Sequence, residues 1–266
     1  MEHAVKMQTW LRKFRRTAVE KIDSQSVWSE TWLHVPDTGE TVLTPGANQL
    51  LSHVAVAIHP LSSNTVVVML PGLHGSVGGY EDKYAKIGDF IREKQIGAVV
   101  RTGNHPVPYL PYERAACQQL RAVLRRVLSE SSRICGHSKP QLYLMGFSAG
   151  ASVMAAVAHE FEEVARMLLI APSADAGPQN VRAGIEAFLG DLAVAVGADD
   201  EVVRTFPQTL FDGSNNATRK RQAVIPHCDH QFRGETNGRI LSHAPLWAFA
   251  DDDPFPDPNR GIFLYE

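Results

Sequence analysis

Apolar residues recur along this chain with two different periods. Short runs rich in β-branched residues fall at 30–34 (ETWLH), 53–58 (HVAVAI), 65–70 (TVVVML), 96–101 (IGAVVR), 141–145 (QLYLM), 167–171 (MLLIA), 192–196 (LAVAV) and 222–226 (QAVIP). Several are apolar at every position, as expected of strands buried on both faces. Between them lie longer stretches, 80–94, 112–130, 149–165 and 178–189, with apolar residues at helical spacing. Strands alternating with helices predict βαβ units, right-handed crossovers and an α/β fold built on a mainly parallel eight-stranded sheet. The earliest strands have no helical stretch between them, which predicts an antiparallel start to that sheet.

Spacing also sets the domain plan. The chain carries no internal repeat, low-complexity segment or linker, so 29–266 is expected to be a single domain. The strand at 167–171 is separated from the one at 192–196 by "PSADAGPQNVRAGIEAFLGD". One crossover helix, with Val181, Ile185 and Phe188 toward the sheet, uses that stretch and leaves nothing for a large cap domain. Residues 1–28 show Met7, Leu11, Phe14, Ala18 and Ile22 at helical spacing opposite a basic side that includes Lys6, Arg12 and Lys21. The expectation is an amphipathic helix packed on the domain. A membrane-surface helix or an organelle-targeting segment fits the same pattern. The tail "DDDPFPDPNR" reads as an irregular, acidic surface segment.

Composition narrows the classes. The 266 residues are 44% hydrophobic and 21% charged, an ordinary globular balance with enough apolar material for a sizeable core. A net charge of -3 argues against a nucleic-acid partner. No apolar run approaches the roughly 20 residues of a membrane-spanning helix, so stable membrane insertion is not expected. Three scattered cysteines without a C-x-x-C fit a reducing, cytoplasmic setting better than a disulfide framework.

The chemistry concentrates after the strands. "LYLM" runs into Gly146-Phe147-Ser148-Ala149-Gly150 and then into a small-residue helix. G-x-S-x-G between a strand and a helix is a nucleophile elbow: a sharp turn exposes the serine, and glycines admit close backbone approach. A serine needs a base, and "HCDHQFRG" (227–234) offers His230 with His227 as competitor. The neighbouring Cys228 matches no ordinary zinc spacing, so no metal and no cofactor is expected. An acid that orients the base is available in "DLAVAVGADDEVV" at Asp199 and Asp200, with Asp175 after the preceding strand as a further candidate. Ser148, Asp200 and His230 each follow a strand, where open α/β sheets gather ligands and chemistry. The glycine-rich "VVVMLPGLHGSVGGY" (66–80) supplies backbone donors for an oxyanion: the N–H of Leu73, or of His74, paired with that of Ala149. In "RTGNHPVPYLPY" (101–112), Arg101, His105, Tyr109 and Tyr112 could read a polar acyl group or be ordinary loop residues.

These residues resemble the α/β-hydrolase superfamily, and within it the small dienelactone-hydrolase-like and serine-esterase-like members. "PGLHGS" is similar to the oxyanion loop, with Pro71-Gly72 where a histidine-glycine pair is usual. "GFSAG" matches the elbow, "GADDEVV" resembles the acid segment, and "CDHQFRG" resembles the histidine segment. The resemblance covers roughly 50–245. It implies Asp200 rather than Asp199 as the acid and His230 as the base. The activity it implies is ester hydrolysis through an acyl-enzyme on Ser148, with a small-molecule acyl substrate and no cofactor. A thioesterase, acyltransferase or amide hydrolase would use the same residues, and a slow or non-enzymatic ligand receptor of this fold is the alternative of another class. Dienelactone hydrolases carry a cysteine nucleophile where this chain has Ser148, so their particular activity is not implied.

Overall fold

The computed structural model describes residues 29–34, 53–104 and 111–265. The amphipathic stretch expected within 1–28 lies outside them, as do His105 and Tyr109. Eight strands form one sheet: β1 (Ser29–His34), β2 (His53–His59), β3 (Thr65–Leu70), β4 (Ala98–Thr102), β5 (Gln141–Phe147), β6 (Val164–Ile170), β7 (Asp191–Gly197) and β8 (Arg219–Ile225). Their order is β1-β2-β4-β3-β5-β6-β7-β8. β1 pairs with β2, and β2 with β4, in antiparallel fashion, and every later pairing is parallel. The antiparallel start and the parallel remainder follow the expectation from the sequence.

The helices are α1 (Lys83–Glu93), α2 (Tyr112–Ser129), α3 (Ser131–Cys135), α4 (Ala149–Val157), α5 (Pro178–Ala187), α6 (Phe206–Gly213) and α7 (Glu235–Ala250). They cover both faces of the sheet, and the strand side chains divide with period two. Val66, Val68, Leu142 and Leu144 face the layer of α2, α4 and α5. Val67, Met69, Met145 and Phe147 face the layer of α1 and α7. Burial on both faces is why β3 is apolar at every position.

Three expected boundaries move. The stretch 149–165 is not one helix: α4 stops at Val157, a 3₁₀ turn spans Ala158–Glu160, and β6 begins at Val164. Phe161 is already extended there, and Phe161 O accepts the Val164 N–H as the chain turns back into the sheet. β4 starts later, at Ala98, after Gly97 passes close to the backbone at Thr65, where a Cβ would stand 2.7 Å from Thr65 O. β8 starts earlier, at Arg219, and ends before Pro226, which has no N–H for a ladder. Between β6 and β7 there is one helix, α5, with Val181, Ile185 and Phe188 buried against the α2–α4 layer, as expected. Among the described residues no helix is long and apolar enough to cross a membrane.

Candidate active site

Ser148 leaves β5 at φ 52°, ψ −118°, and α4 begins at the next residue. A side-chain-bearing residue with positive φ is strained by about 1–2 kcal/mol. Close packing holds it there. A Cβ on Gly146 would stand 2.5 Å from Ala151 Cα, and one on Gly150 would stand 2.3 Å from Pro71 O. Both glycines are therefore required by contact between backbones. The Ser148 N–H donates to Ile170 O at 2.8 Å, which ties the turn to the end of β6.

His230 lies on the loop after β8, and Asp200 on the loop after β7. His230 Nε2 is 2.9 Å from Ser148 Oγ, and His230 Nδ1 is 2.8 Å from Asp200 Oδ2. An ionised carboxylate only accepts, so Nδ1 carries the proton and Nε2 is left to accept from the serine hydroxyl. The other carboxylate oxygen, Asp200 Oδ1, accepts from the Val202 N–H at 2.9 Å and the Val203 N–H at 3.1 Å. The acid is thus buried and fully engaged. The competing residues fall elsewhere. Asp199 is exposed, with its N–H donating to Cys228 O. The exposed Asp175 accepts from Ser173 Oγ, and His227 is exposed. Burial pushes the Cys228 thiol up to about 12, and a thiol so held is a poor nucleophile. Among the described residues no group of three or more His, Cys, Asp or Glu is placed to hold a metal ion.

Opposite the serine, Gly72 to Gly75 form a turn closed by Gly75 N–H to Gly72 O at 2.9 Å, with Leu73 and His74 at its corner and His74 at φ 61°. Gly72 faces Ser148: a Cβ there would stand 3.4 Å from Ser148 Cβ. Ala149 is the first residue of α4, so its N–H has no partner within the helix.

The loop is braced by Asn104 and Tyr84, which the sequence pattern did not single out, and by Arg101 and Tyr112, which it did. Asn104 Nδ2 donates to Pro71 O at 2.8 Å, and its backbone N–H donates to Gly75 O at 2.9 Å. Tyr112 Oη donates to Asn104 Oδ1 at 2.9 Å, and Arg101 Nη1 donates to Val77 O at 2.6 Å. Arg101 and Tyr112, candidate substrate readers by position, thus anchor the loop instead. Tyr84 is buried beneath it and hydrogen-bonds the backbone of Gly72. Asn104 stands at the end of "RTGN", directly after β4; that position was its only trace in the sequence.

No model of a known protein family matches the chain, and no curated protein does. Solved structures do. The chain is similar to the esterase Pf2001 of Pyrococcus furiosus, with a TM-score of 0.60 at 14% identity over 84% of this chain and 91% of that one. It is similar to the esterase domain of a Rhodothermus marinus protein, with a TM-score of 0.59 at 14% identity over 81% and 94%. An alpha-beta serine hydrolase homologue from Coxiella burnetii gives 0.55 at 20% identity over 72% and 89%. At such identities the likeness is one of fold.

Proposed function

This chain has the α/β-hydrolase fold, and on that premise we propose that it is a serine hydrolase that cleaves a carboxylic ester through an acyl-enzyme on Ser148. The reading rests on one observation above all, the unbroken hydrogen-bonded series from Ser148 Oγ through His230 to the buried Asp200. Residues 29–266 act as one catalytic domain, because the sheet that presents the serine also presents the acid and the base. The fold is common ground with many hydrolases and does not select the narrower dienelactone-hydrolase-like group.

His230 Nε2 accepts the Ser148 proton as Oγ attacks the acyl carbon. Asp200 holds the ring in the tautomer that makes this transfer possible and stabilises the imidazolium. Negative charge moves to the carbonyl oxygen, which the N–H groups of Leu73 and Ala149 receive. Leu73 is chosen over His74 because its nitrogen is bonded to the carbonyl carbon of Gly72, the residue that faces the serine. Each donor of this kind is worth about 3 kcal/mol in the transition state. His230 returns the proton to the leaving oxygen, and water repeats the sequence to free the acid.

Fluorophosphonate labelling and pre-steady-state hydrolysis of p-nitrophenyl acetate test the proposal. The native chain should be labelled once, at Ser148, and release a burst of nitrophenol. Ser148→Ala should lose labelling and about 10⁴-fold or more of kcat. A variant that labels and turns over like the native chain overturns the reading.

A further inference from the structure

The charge most at odds with its surroundings is Lys83, the first residue of α1. The residue is only 7% exposed. Among the described residues no carboxylate pairs with it. Its contacts are two ring faces, with Nζ 4.8 Å from the Phe147 centroid and 5.1 Å from that of Tyr84. Lysines are seldom buried without a counter-charge, because desolvating an ammonium is costly.

The location gives that cost a purpose. Phe147 immediately precedes Ser148, and its ring centroid lies 5.7 Å from that of His230. A Cβ on Gly72 would stand 3.5 Å from Phe147 Cδ1, so the same ring borders the glycine-rich turn. Gly79 lies close to the lysine stem as well, since a Cβ there would stand 3.1 Å from Lys83 Cγ. The cation thus lies against the ring of the residue that precedes Ser148, with the glycine-rich segment close to its stem.

We propose that Lys83 is an anion subsite beside Ser148, and that the substrate is an ester bearing a free carboxylate near the scissile bond, which pairs with the ammonium. This deepens the hydrolase reading and rests on it. One ammonium among aromatic faces suits a monoanion; a phosphate dianion calls for the several donors that a guanidinium or a run of backbone N–H groups supplies. Burial lowers the Lys83 ammonium to about 8, so it is mostly charged at neutral pH and available for pairing. The other titratable groups around it are Glu81 and Asp82 just before α1, the phenol of Tyr84, which burial pushes up, and His230 beyond Phe147.

Two measurements on the full chain test the subsite. In the first, p-nitrophenyl hemiglutarate, an acid, is compared with p-nitrophenyl pentanoate, its neutral counterpart. The acid-to-neutral ratio of kcat/KM should fall about tenfold or more in Lys83→Met, with the change carried by KM. In the second, monomethyl glutarate is titrated calorimetrically into Ser148→Ala and into Ser148→Ala/Lys83→Met. Its Kd should weaken about tenfold or more on loss of the lysine, and in the Ser148→Ala chain it should weaken as pH rises past about 8. An unchanged ratio, an unchanged Kd, or no measurable binding to the Ser148→Ala chain overturns the subsite. If both esters are hydrolysed but neither measurement responds to Lys83, the subsite falls and the hydrolase stands. If neither ester is hydrolysed but binding depends on Lys83, the subsite stands and the hydrolase reading falls.

Discussion

Asp200 and Lys83 show opposite ways of keeping a charge inside a protein. Asp200 gives every hydrogen bond a purpose: Oδ2 faces His230 Nδ1, and Oδ1 takes two backbone N–H groups. An asparagine there must either aim its NH₂ at Nδ1, forcing the wrong imidazole tautomer, or aim it at the N–H groups of Val202 and Val203. Asp200→Asn should therefore lower kcat about 10³–10⁴-fold, while Asp199→Asn and Asp175→Asn change it within about threefold; steady-state hydrolysis of p-nitrophenyl acetate reads the comparison. Lys83 has no such partners and costs stability. The unfolded chain holds this proton up to 10.5, the folded chain only to about 8. The penalty is full below about pH 8, shrinks as pH rises from there, and is gone above 10.5, where both states are neutral. Lys83→Met should then be more stable than the native chain by about 3 kcal/mol at pH 7, with the gap closing toward pH 10 in urea unfolding. A variant less stable at pH 7 would show that the ammonium supports the fold instead of straining it.

At the scale of elements, the site depends on how closely α4 and α5 approach. α4 carries the serine at its start and is buried along its whole length. α5 reaches it through Gly184, where a Cβ would stand 2.2 Å from Ala155 O. Alanine is the better helix former by about 1 kcal/mol, so propensity predicts that Gly184→Ala stabilises. Packing predicts the reverse. The new methyl meets backbone, which moves only with its helix, and a net loss of about 2 kcal/mol is expected from overpacking. Chemical denaturation measures it, and a stabilised Gly184→Ala would mean the two helices can separate at little cost. Ser152 ties α4 to the loop that leads into α5, its Oγ accepting the Ala176 N–H at 2.7 Å.

Across the whole molecule the two ends of the sheet have separate tasks. The ends that follow β3, β5, β7 and β8 carry the glycine-rich turn, Ser148, Asp200 and His230. At the opposite ends Asp251 pairs with Arg219 at 2.7 Å, Arg221 at 3.1 Å and Arg166 at 3.2 Å, so the acidic stretch after α7 fastens β6 and β8. The chain then runs back along α7. The Ile262 N–H donates to Ser242 Oγ at 2.8 Å, Lys86 Nζ donates to Leu264 O at 2.9 Å, and Leu264 is buried beside α1 and α7. The stretch 251–260 is irregular and lies at the surface, as the sequence reads, and it leads into a strap at 261–265. Ending the chain after Ala250 removes a buried leucine, worth about 2 kcal/mol, and the Asp251 pairs. The melting temperature should fall by about 5–10 °C for a domain of this size; an unchanged melting curve would make the strap ornamental.

The sequence by itself determined whatever one-dimensional periodicity records. All eight strands were legible, because residues such as Val66 to Leu70 must be apolar on both faces of a covered sheet. The elbow was legible, because Gly146 and Gly150 are dictated by backbone contacts that no other residue permits. That Ser148, Asp200 and His230 would meet was legible, because each sits one loop beyond a strand. Tertiary structure decided the rest. α7 was not legible: it is buried almost all round and holds Pro245 and Gly238, so it has no polar stripe to set a helical period. Asp199 and Asp200 are both acids on one loop, and their residue type does not separate them. The hydrogen bond from the Asp199 N–H to Cys228 O and the two N–H groups at Asp200 Oδ1 do, and both depend on β7 lying beside β8. Asn104 and Lys83 read as loop and helix-surface residues until the sheet brings β4 beside β3 and α1 against Phe147. Burial leaves a rhythm along the chain, whereas a contact between residues far apart in sequence leaves none, and the chemistry of this site is made of such contacts.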